Sequence, residues 1–256
     1  MNLDFFAVTQ DNLRDLNRTE RLLFEYVVKH MDVVKDMGIR ELAAAQFLST
    51  TTIFRFTKKL GFAGYAQFIQ SLVVTSHHRD VTVVPEVVTD RDYSEAYVKN
   101  IMESIRVMAP KQVEKVVTLL LDKPNIYILV DDNTHAIGQY CERLFIGLGF
   151  HAYFPETAYQ TKNLADRISN TDMIIALSHL GEDKEMIRLI ERVFLKSRPH
   201  LLSITYSENN PLENLSDTNF YVFADEIIIA DMNLTSNVTM LLLLELIAYK
   251  YIAQIK

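Results

Sequence analysis

The sequence has little that would place it among disulfide-bonded, metal-binding or membrane proteins. A single cysteine, Cys141, stands in 256 residues, which excludes an internal disulfide and a cysteine-rich metal site. It lies in a helical pattern among apolar residues, where a buried and inert thiol is expected. The longest apolar runs are residues 240–244 and 222–230, the second broken by Asp225 and Glu226. Neither approaches the roughly 18–20 residues of a spanning helix. Residues 1–6 lack the basic start of a signal peptide. The pair His77-His78 has no carboxylate or cysteine at ligand spacing and reads as solvated linker. No internal repeat or low-complexity tract is present. These absences predict a cytoplasmic chain with no membrane partner, no metal and no cofactor. One further absence is local: residues 42–79 contain neither Asp nor Glu, although the chain carries 33 acidic residues against 26 basic ones.

That acid-free window holds Arg55, Lys58, Lys59 and Arg79 within a chain of net charge −7. A positive patch on an acidic protein still supplies phosphate contacts. Inside it, residues 49–62 read as one helix. Ser49 serves as N-cap and Gly61 closes the helix in the left-handed region. At the helical period Ile53, Phe56 and Leu60 share one side, while Thr51, Arg55 and Lys58 share the other. Residues 39–46 form another short helix, and Phe47-Leu48 leaves only a tight turn between them. Two short helices with a basic, hydroxyl-rich second member describe a helix-turn-helix, whose second helix enters the major groove. The expected partner is a double-stranded DNA operator. Four basic residues make a small footprint, and a dimer on two half-sites is the usual remedy.

At this length two domains are expected. Residues 1–78 form the helix-turn-helix domain, with helices near 16–30, 31–37 and 65–74 around the central pair. Residues 79–92, which contain Pro85 and no helical period, form a linker. Residues 93–256 begin with a helix to about 121. Short strands then follow at 126–130, 151–154, 172–177, 201–205 and 219–223, with helices near 135–147, 158–168, 183–197 and 232–254. Strands alternating with helices imply an α/β domain with a mostly parallel sheet, whose ligands sit at the carboxyl ends of the strands. Residues 240–251 are apolar almost all round and need cover on most sides, which suggests a dimer interface nearby.

Nearly the whole chain resembles the RpiR family of bacterial transcriptional regulators, which join a helix-turn-helix domain to a SIS (sugar isomerase) domain. The resemblance rests on Leu42-Ala43, on Ser49-Thr50-Thr51-Thr52-Ile53-Phe54-Arg55-Phe56-Thr57-Lys58-Lys59-Leu60-Gly61-Phe62, and on Gly64, Tyr65 and Phe68. These match the family stretch S-x-x-T-hydrophobic-x-R-F-x-K-K-L-G-F-x-G-[FY]-x-x-F. The resemblance implies a regulator that senses a sugar or sugar phosphate and assembles as a homodimer or homotetramer.

The ligand half departs from its family. SIS domains hold phosphosugars through two loops. The first, G-x-G-x-S, here reads Val130-Asp131-Asp132-Asn133-Thr134, so both glycines are gone and only the Thr134 hydroxyl survives. The second, S-x-S-G-x-T, reads Ser178-His179-Leu180-Gly181-Glu182-Asp183, retaining Ser178 and Gly181. Glycine lets backbone N–H groups approach an anion, and hydroxyls add donors. Asp131, Asp132, Glu182 and Asp183 would instead place carboxylates around the pocket. Like-charge repulsion there costs on the order of a few kcal/mol per close contact. A neutral or cationic ligand, use of another part of the pocket, and a vestigial site are the readings left open.

The candidate DNA-binding residues are Ser49, Thr50, Thr51, Thr52, Arg55, Lys58 and Lys59. Arg55 reads guanine or a phosphate, or else clamps an acidic neighbour. Thr51 contacts a base edge or a thymine methyl. Lys58 and Lys59 position phosphates, or belong to a solvated helix end. Phe54 and Phe62 read as packing residues. The candidate effector-binding residues are Asp132, Asn133, Thr134, Ser178, His179, Gly181 and Asp183. Thr134 and Ser178 donate to a ligand or cap helices, while His135 and His179 are loop histidines that would confer pH sensitivity if both faced the cleft. Two competing functions remain. One is a regulator without an effector, and the other is a phosphosugar isomerase with Glu226 or His179 as base.

Overall fold

The computed structural model describes residues 5–9, 12–77, 91–206, 210–229 and 232–256. His78, Arg79 and most of the 79–92 linker lie outside the described residues. The chain divides into two compact units, with the division between Ala109 and Pro110.

The first unit is all helical: α1 (Phe5–Thr9), α2 (Arg18–Lys29), α3 (Met31–Val34), α4 (Ile39–Ala45), α5 (Thr50–Lys59), α6 (Tyr65–His77) and α7 (Arg91–Val107). Asn17 starts α2 by accepting the Glu20 N–H at 3.0 Å, and Glu20 Oε2 accepts the Asn17 N–H at 2.8 Å. This reciprocal pair satisfies two N–H groups that a helix start leaves open. The core is aromatic. Phe68 of α6 lies 6.0 Å from Phe5, 6.3 Å from Phe56, 5.7 Å from Phe62 and 5.6 Å from Tyr65, ring centre to ring centre.

Contacts group α7 with this first unit, where it packs against α2 and buries Asn100, Glu103 and Ser104. The expected domain start at residue 93 therefore falls before the division, which lies at Pro110 in the structure. The single helix expected up to 121 is likewise two. Proline has no N–H to give and disfavours helix in the residue before it, so α7 ends at Val107, Ala109 is outside both helices and Pro110 opens the next.

The second unit contains α8 (Pro110–Leu121), β1 (Ile126–Val130), α9 (His135–Gly147), β2 (Ala152–Tyr153), α10 (Ala158–Lys162), β3 (Met173–Leu177), α11 (Lys184–Phe194), β4 (His200–Tyr206), α12 (Pro211–Leu215), β5 (Thr218–Val222), β6 (Ile228–Ile229), β7 (Met232–Asn233) and α13 (Val238–Ile255). Five strands form one parallel sheet in the order β2-β1-β3-β4-β5, with Ile126 opposite Met173 and Met173 opposite His200. Strand β3 is buried along its whole length, as a central strand covered on both faces must be. Met186, Leu189, Ile190 and Val193 of α11 pack with Ile174, Ala176 and Leu201 in one layer. On α8 and α9 lies α13, burying Met240, Leu243, Leu244, Ile247 and Tyr251. The α/β architecture expected from the sequence is present.

Three departures have local causes. The region 158–168 is a short helix followed by a 3₁₀ turn at Leu164–Asp166. Helix α12 and the β6–β7 hairpin are too short to carry a period. The last helix starts at Val238, six residues later than expected. That helix is also long and apolar enough, by length and composition, to cross a membrane, although its unbroken apolar run at 240–244 is far shorter than a span. Its buried face is the one that covers α8 and α9. Cys141 is fully buried in α9, and desolvation pushes its thiol far above the ordinary range, as expected of an inert cysteine.

Candidate functional site

Helix α5 is built as its sequence suggests. The Ser49 side chain accepts the Thr52 N–H at 3.0 Å. At the other end Gly61 has φ 101°, and its N–H reaches the Lys58 carbonyl at 3.0 Å while the Phe62 N–H reaches Thr57 at 3.1 Å. These bonds satisfy carbonyls that the helix end leaves open. Ile53, Phe56 and Leu60 are fully buried, while Thr51, Arg55 and Lys58 are exposed on the opposite side. The turn from α4 passes through Phe47, a left-handed residue at φ 53°.

Within this helix the candidate residues take different roles. Arg55 has no hydrogen bond or ion pair among the described residues, so no acidic neighbour clamps it. The Ser49 and Thr52 hydroxyls lie 2.8 Å apart and are committed to each other as the helix start. Thr50 is exposed beside them. Lys59 differs from its expected role as a phosphate contact. Its ammonium lies 2.6 Å from Glu20 Oε2, the carboxylate that also caps α2. The pair is part-buried and braces α5 against α2. Phe62 is buried, as expected of a packing residue, but Phe54 is not, being 44% exposed on the polar side of the helix.

The second site lies at the carboxyl ends of the strands. A cleft of about 240 Å³ is bounded by the end of β1, the segment after β2, and the start of α11. Five carboxylates line it: Asp131, Asp132, Glu156, Asp183 and Glu185. His135 lines it as well, with its ring edge-on to Phe154 at 5.1 Å.

Most of the expected effector residues build the loops rather than line the cleft. Thr134 is fully buried, accepting the Asp131 N–H at 3.2 Å and donating to the Leu177 carbonyl at 2.8 Å. Ser178, also buried, accepts the Gly181 N–H at 3.0 Å. Asp183 lines the cleft but also caps α11, accepting the Met186 N–H at 2.6 Å. The Asn133 carbonyl accepts from the Asn237 side chain at 2.9 Å. Of the seven candidates, Asp132 and Asp183 line the cleft, whereas Asn133, Thr134, Ser178, His179 and Gly181 do not.

His179 is 1% exposed and stacks on Tyr206 at 4.6 Å, with neither ring nitrogen hydrogen-bonded among the described residues. Burial holds its pKa below the ordinary value, with the Asp131 carboxylate pulling the other way. Only His135 of the two loop histidines therefore faces the cleft. Glu226 is exposed and not in the lining, and His179 is buried away from it, so neither candidate isomerase base stands at this cleft. Sequence reasoning missed Glu156, Thr157, Thr161 and Glu185. The signal for the first two was the end of the expected strand at 151–154, because strand ends are where such clefts form.

Comparison with known proteins agrees with this architecture. The family model for the helix-turn-helix domain of the rpiR family matches residues 6–74, and that for the SIS domain matches residues 119–250. An HTH-type transcriptional regulator from Clostridium perfringens is 26% identical over 240 residues, covering 90% of this chain and 85% of its own. The HTH-type transcriptional regulator GlvR of Bacillus subtilis is 24% identical, covering 84% of this chain and 82% of its own. Among solved structures, the NanR protein of Vibrio vulnificus, complexed with ManNAc-6P, superposes with TM-score 0.55 at 18% identity over 98% of this chain and 92% of its own. The sugar isomerase domain of an RpiR transcription factor from Sphaerobacter thermophilus superposes with TM-score 0.56 at 11% identity, covering 63% of this chain and 90% of its own. The chain belongs to the RpiR family of helix-turn-helix transcriptional regulators with a SIS domain.

Proposed function

We propose that α5 reads an operator through its exposed side, with Arg55 and Thr51 at base edges and Thr50 and Lys58 at phosphates. The observation that carries this reading is a solvent-facing Arg55, unpaired among the described residues, on the side of α5 opposite the core. Arg55→Ala should cost about 1–3 kcal/mol of specific binding and relax the preference at one base pair. Lys58→Ala should weaken all sequences alike and lower the salt slope by about one unit. Lys59→Ala should leave that slope unchanged, because its charge is already spent on Glu20. Binding titrations of the three variants over a range of salt check this. If Arg55→Ala and Lys58→Ala both bind as the parent does, α5 is not the interface.

The strand-end cleft is the proposed effector site, and its chemistry favours a carbohydrate without a free phosphate. Carboxylates are good acceptors for sugar hydroxyls and poor neighbours for an anion. The start of α11, where a phosphate would meet open N–H groups, is occupied by the protein's own Asp183 carboxylate. NanR of Vibrio vulnificus was solved with a phosphosugar, so the absence of family-type loops here is a difference in expected ligand. Simple sugar phosphates should bind with Kd above roughly 1 mM at neutral pH. Asp132→Gly, Leu180→Ser and Asp183→Thr together should strengthen that binding, with the introduced threonine keeping a capping hydroxyl on α11. A thermal-shift screen of neutral, amino and phosphorylated sugars, followed by calorimetry, tests the reading. Micromolar binding of a sugar phosphate to the unmodified chain overturns it.

The proposed assembly is a homodimer or homotetramer. With Lys59 committed to Glu20, one α5 offers only Arg55 and Lys58 as cations, too few for tight binding by one copy. On the second unit Tyr249 of α13 is 63% exposed, one turn after Glu245, which accepts a hydrogen bond from Tyr140 of α9, itself 37% exposed. Exposed aromatic side chains on these two packed helices favour cover by a second copy. Light scattering of the full chain at micromolar concentration should give at least twice the chain mass. A monomer there defeats the proposal.

A further inference from the structure

The solvent side of α5 contains one residue that does not belong on a solvated face. Phe54 lies one helical turn after Thr51 and one before Lys58, and it precedes Arg55. It is 44% exposed, while the hydrophobic residues on the far side of the same helix are fully buried. The ring is partly held. The Lys58 ammonium lies 5.7 Å from its centre, and a Cβ placed on Gly64 would lie 3.7 Å from its Cε2. The protein thus supports the aromatic ring from one side and leaves nearly half of the residue open, on the face that carries Arg55 and Thr51.

From these observations we propose that Phe54 reads the C5 methyl group of a thymine in the major groove. The argument rests on the reading that α5 enters that groove. The groove's base edges present hydrogen-bonding groups and one apolar group, the thymine methyl, and an apolar side chain on a reading face matches that group. Thr51 and Arg55 are suited to polar edges, and Lys58 to a phosphate. Phe54 adds an apolar specificity determinant between them. Removing one buried methyl-sized group costs about fourfold in affinity.

The test begins with the full chain and randomised duplex DNA, from which bound sequences are enriched. Each thymine of the enriched site is then replaced singly by deoxyuridine, which removes the methyl and leaves the hydrogen-bonding pattern unchanged. Replacement at one thymine, or two adjacent ones, should weaken the parent about fourfold. Phe54→Ala should be insensitive to the same replacement and lose its preference for thymine there. Phe54→Leu should retain part of the discrimination, and Arg55→Ala should retain all of it. Circular dichroism of Phe54→Ala, whose side chain is not in the core, shows whether the helices are intact. A parent insensitive to every replacement, or a Phe54→Ala variant that still discriminates thymine from deoxyuridine, overturns the proposal. Failure to enrich any sequence removes the α5 reading and this inference with it. Enrichment without methyl sensitivity removes this inference alone.

Discussion

Phe68→Ala is expected to remove about 3–5 kcal/mol from the helical unit, the cost of truncating a fully buried aromatic. Phe68 is 0% exposed and touches the rings of Phe5, Phe56, Phe62 and Tyr65. These come from α1, α5, the turn after α5, and α6 itself, so the cavity would open where three helices meet. Surrounding rings are rigid and cannot collapse into the space, which puts the cost at the high end of its range. Domains of this size are stable by only about 5–10 kcal/mol, so much of that margin would be lost. Operator binding would fall for a structural reason, because Phe56 of α5 packs on the Phe68 ring. Phe68→Leu should recover a large part of both stability and binding. Thermal and urea unfolding of the full chain provides the measurement. A Phe68→Ala protein within about 1 kcal/mol of the parent would show that the aromatic cluster does not hold the unit together.

Gly181→Ala should be nearly as damaging, in the other unit. Gly181 has φ +63°, and a Cβ there would sit 2.0 Å from Asn210 Oδ1. That oxygen accepts the Glu213 N–H at 2.8 Å and so starts α12. The Gly181 carbonyl accepts from Leu212 at 3.1 Å, and its N–H donates to Ser178 at 3.0 Å. A methyl at this position must therefore displace the cap, the loop, or both. Left-handed strain of about 1–2 kcal/mol, a lost cap of about 1 kcal/mol and overpacking of about 1–3 kcal/mol act together. The expected loss from these three is about 3–6 kcal/mol. Gly147→Ala is the control. It lies at the end of α9 with nothing within 4 Å of the new atom, and there alanine should be neutral or slightly stabilising. Equal thermal stability of the two variants would refute this account of Gly181.

The roles of Gly181, Ser178 and Thr134 illustrate what a motif conveys. As letters they are the remnants of two phosphate loops. In the structure each of them closes a turn, and Gly181 is retained because only glycine fits against Asn210. The residues that do line the cleft include Glu156 and Glu185, which belong to no motif. Phe54 shows the same limit on α5. The helical period places it beside Thr51 and Lys58, but aromatic residues are more often buried, and composition alone favoured the wrong side.

What the sequence determined by itself is whatever depends on neighbours within a few residues. Ser49 and Gly61 bound α5 because capping is a contact over three or four positions. Ile53, Phe56 and Leu60 face inward because the helical period is fixed by backbone geometry. Strands β1, β3, β4 and β5 were legible from their apolar runs, and the parallel sheet followed from their alternation with helices. What only the tertiary structure decided depends on groups far apart in the chain. Lys59 meets Glu20 across 39 positions and so becomes a brace. Thr134 meets the Leu177 carbonyl across 43 positions, and its hydroxyl is thereby taken up in the fold. Local sequence carries no information about these pairings, because a side chain's chemistry is set by the partner that packing brings within about 3 Å of it.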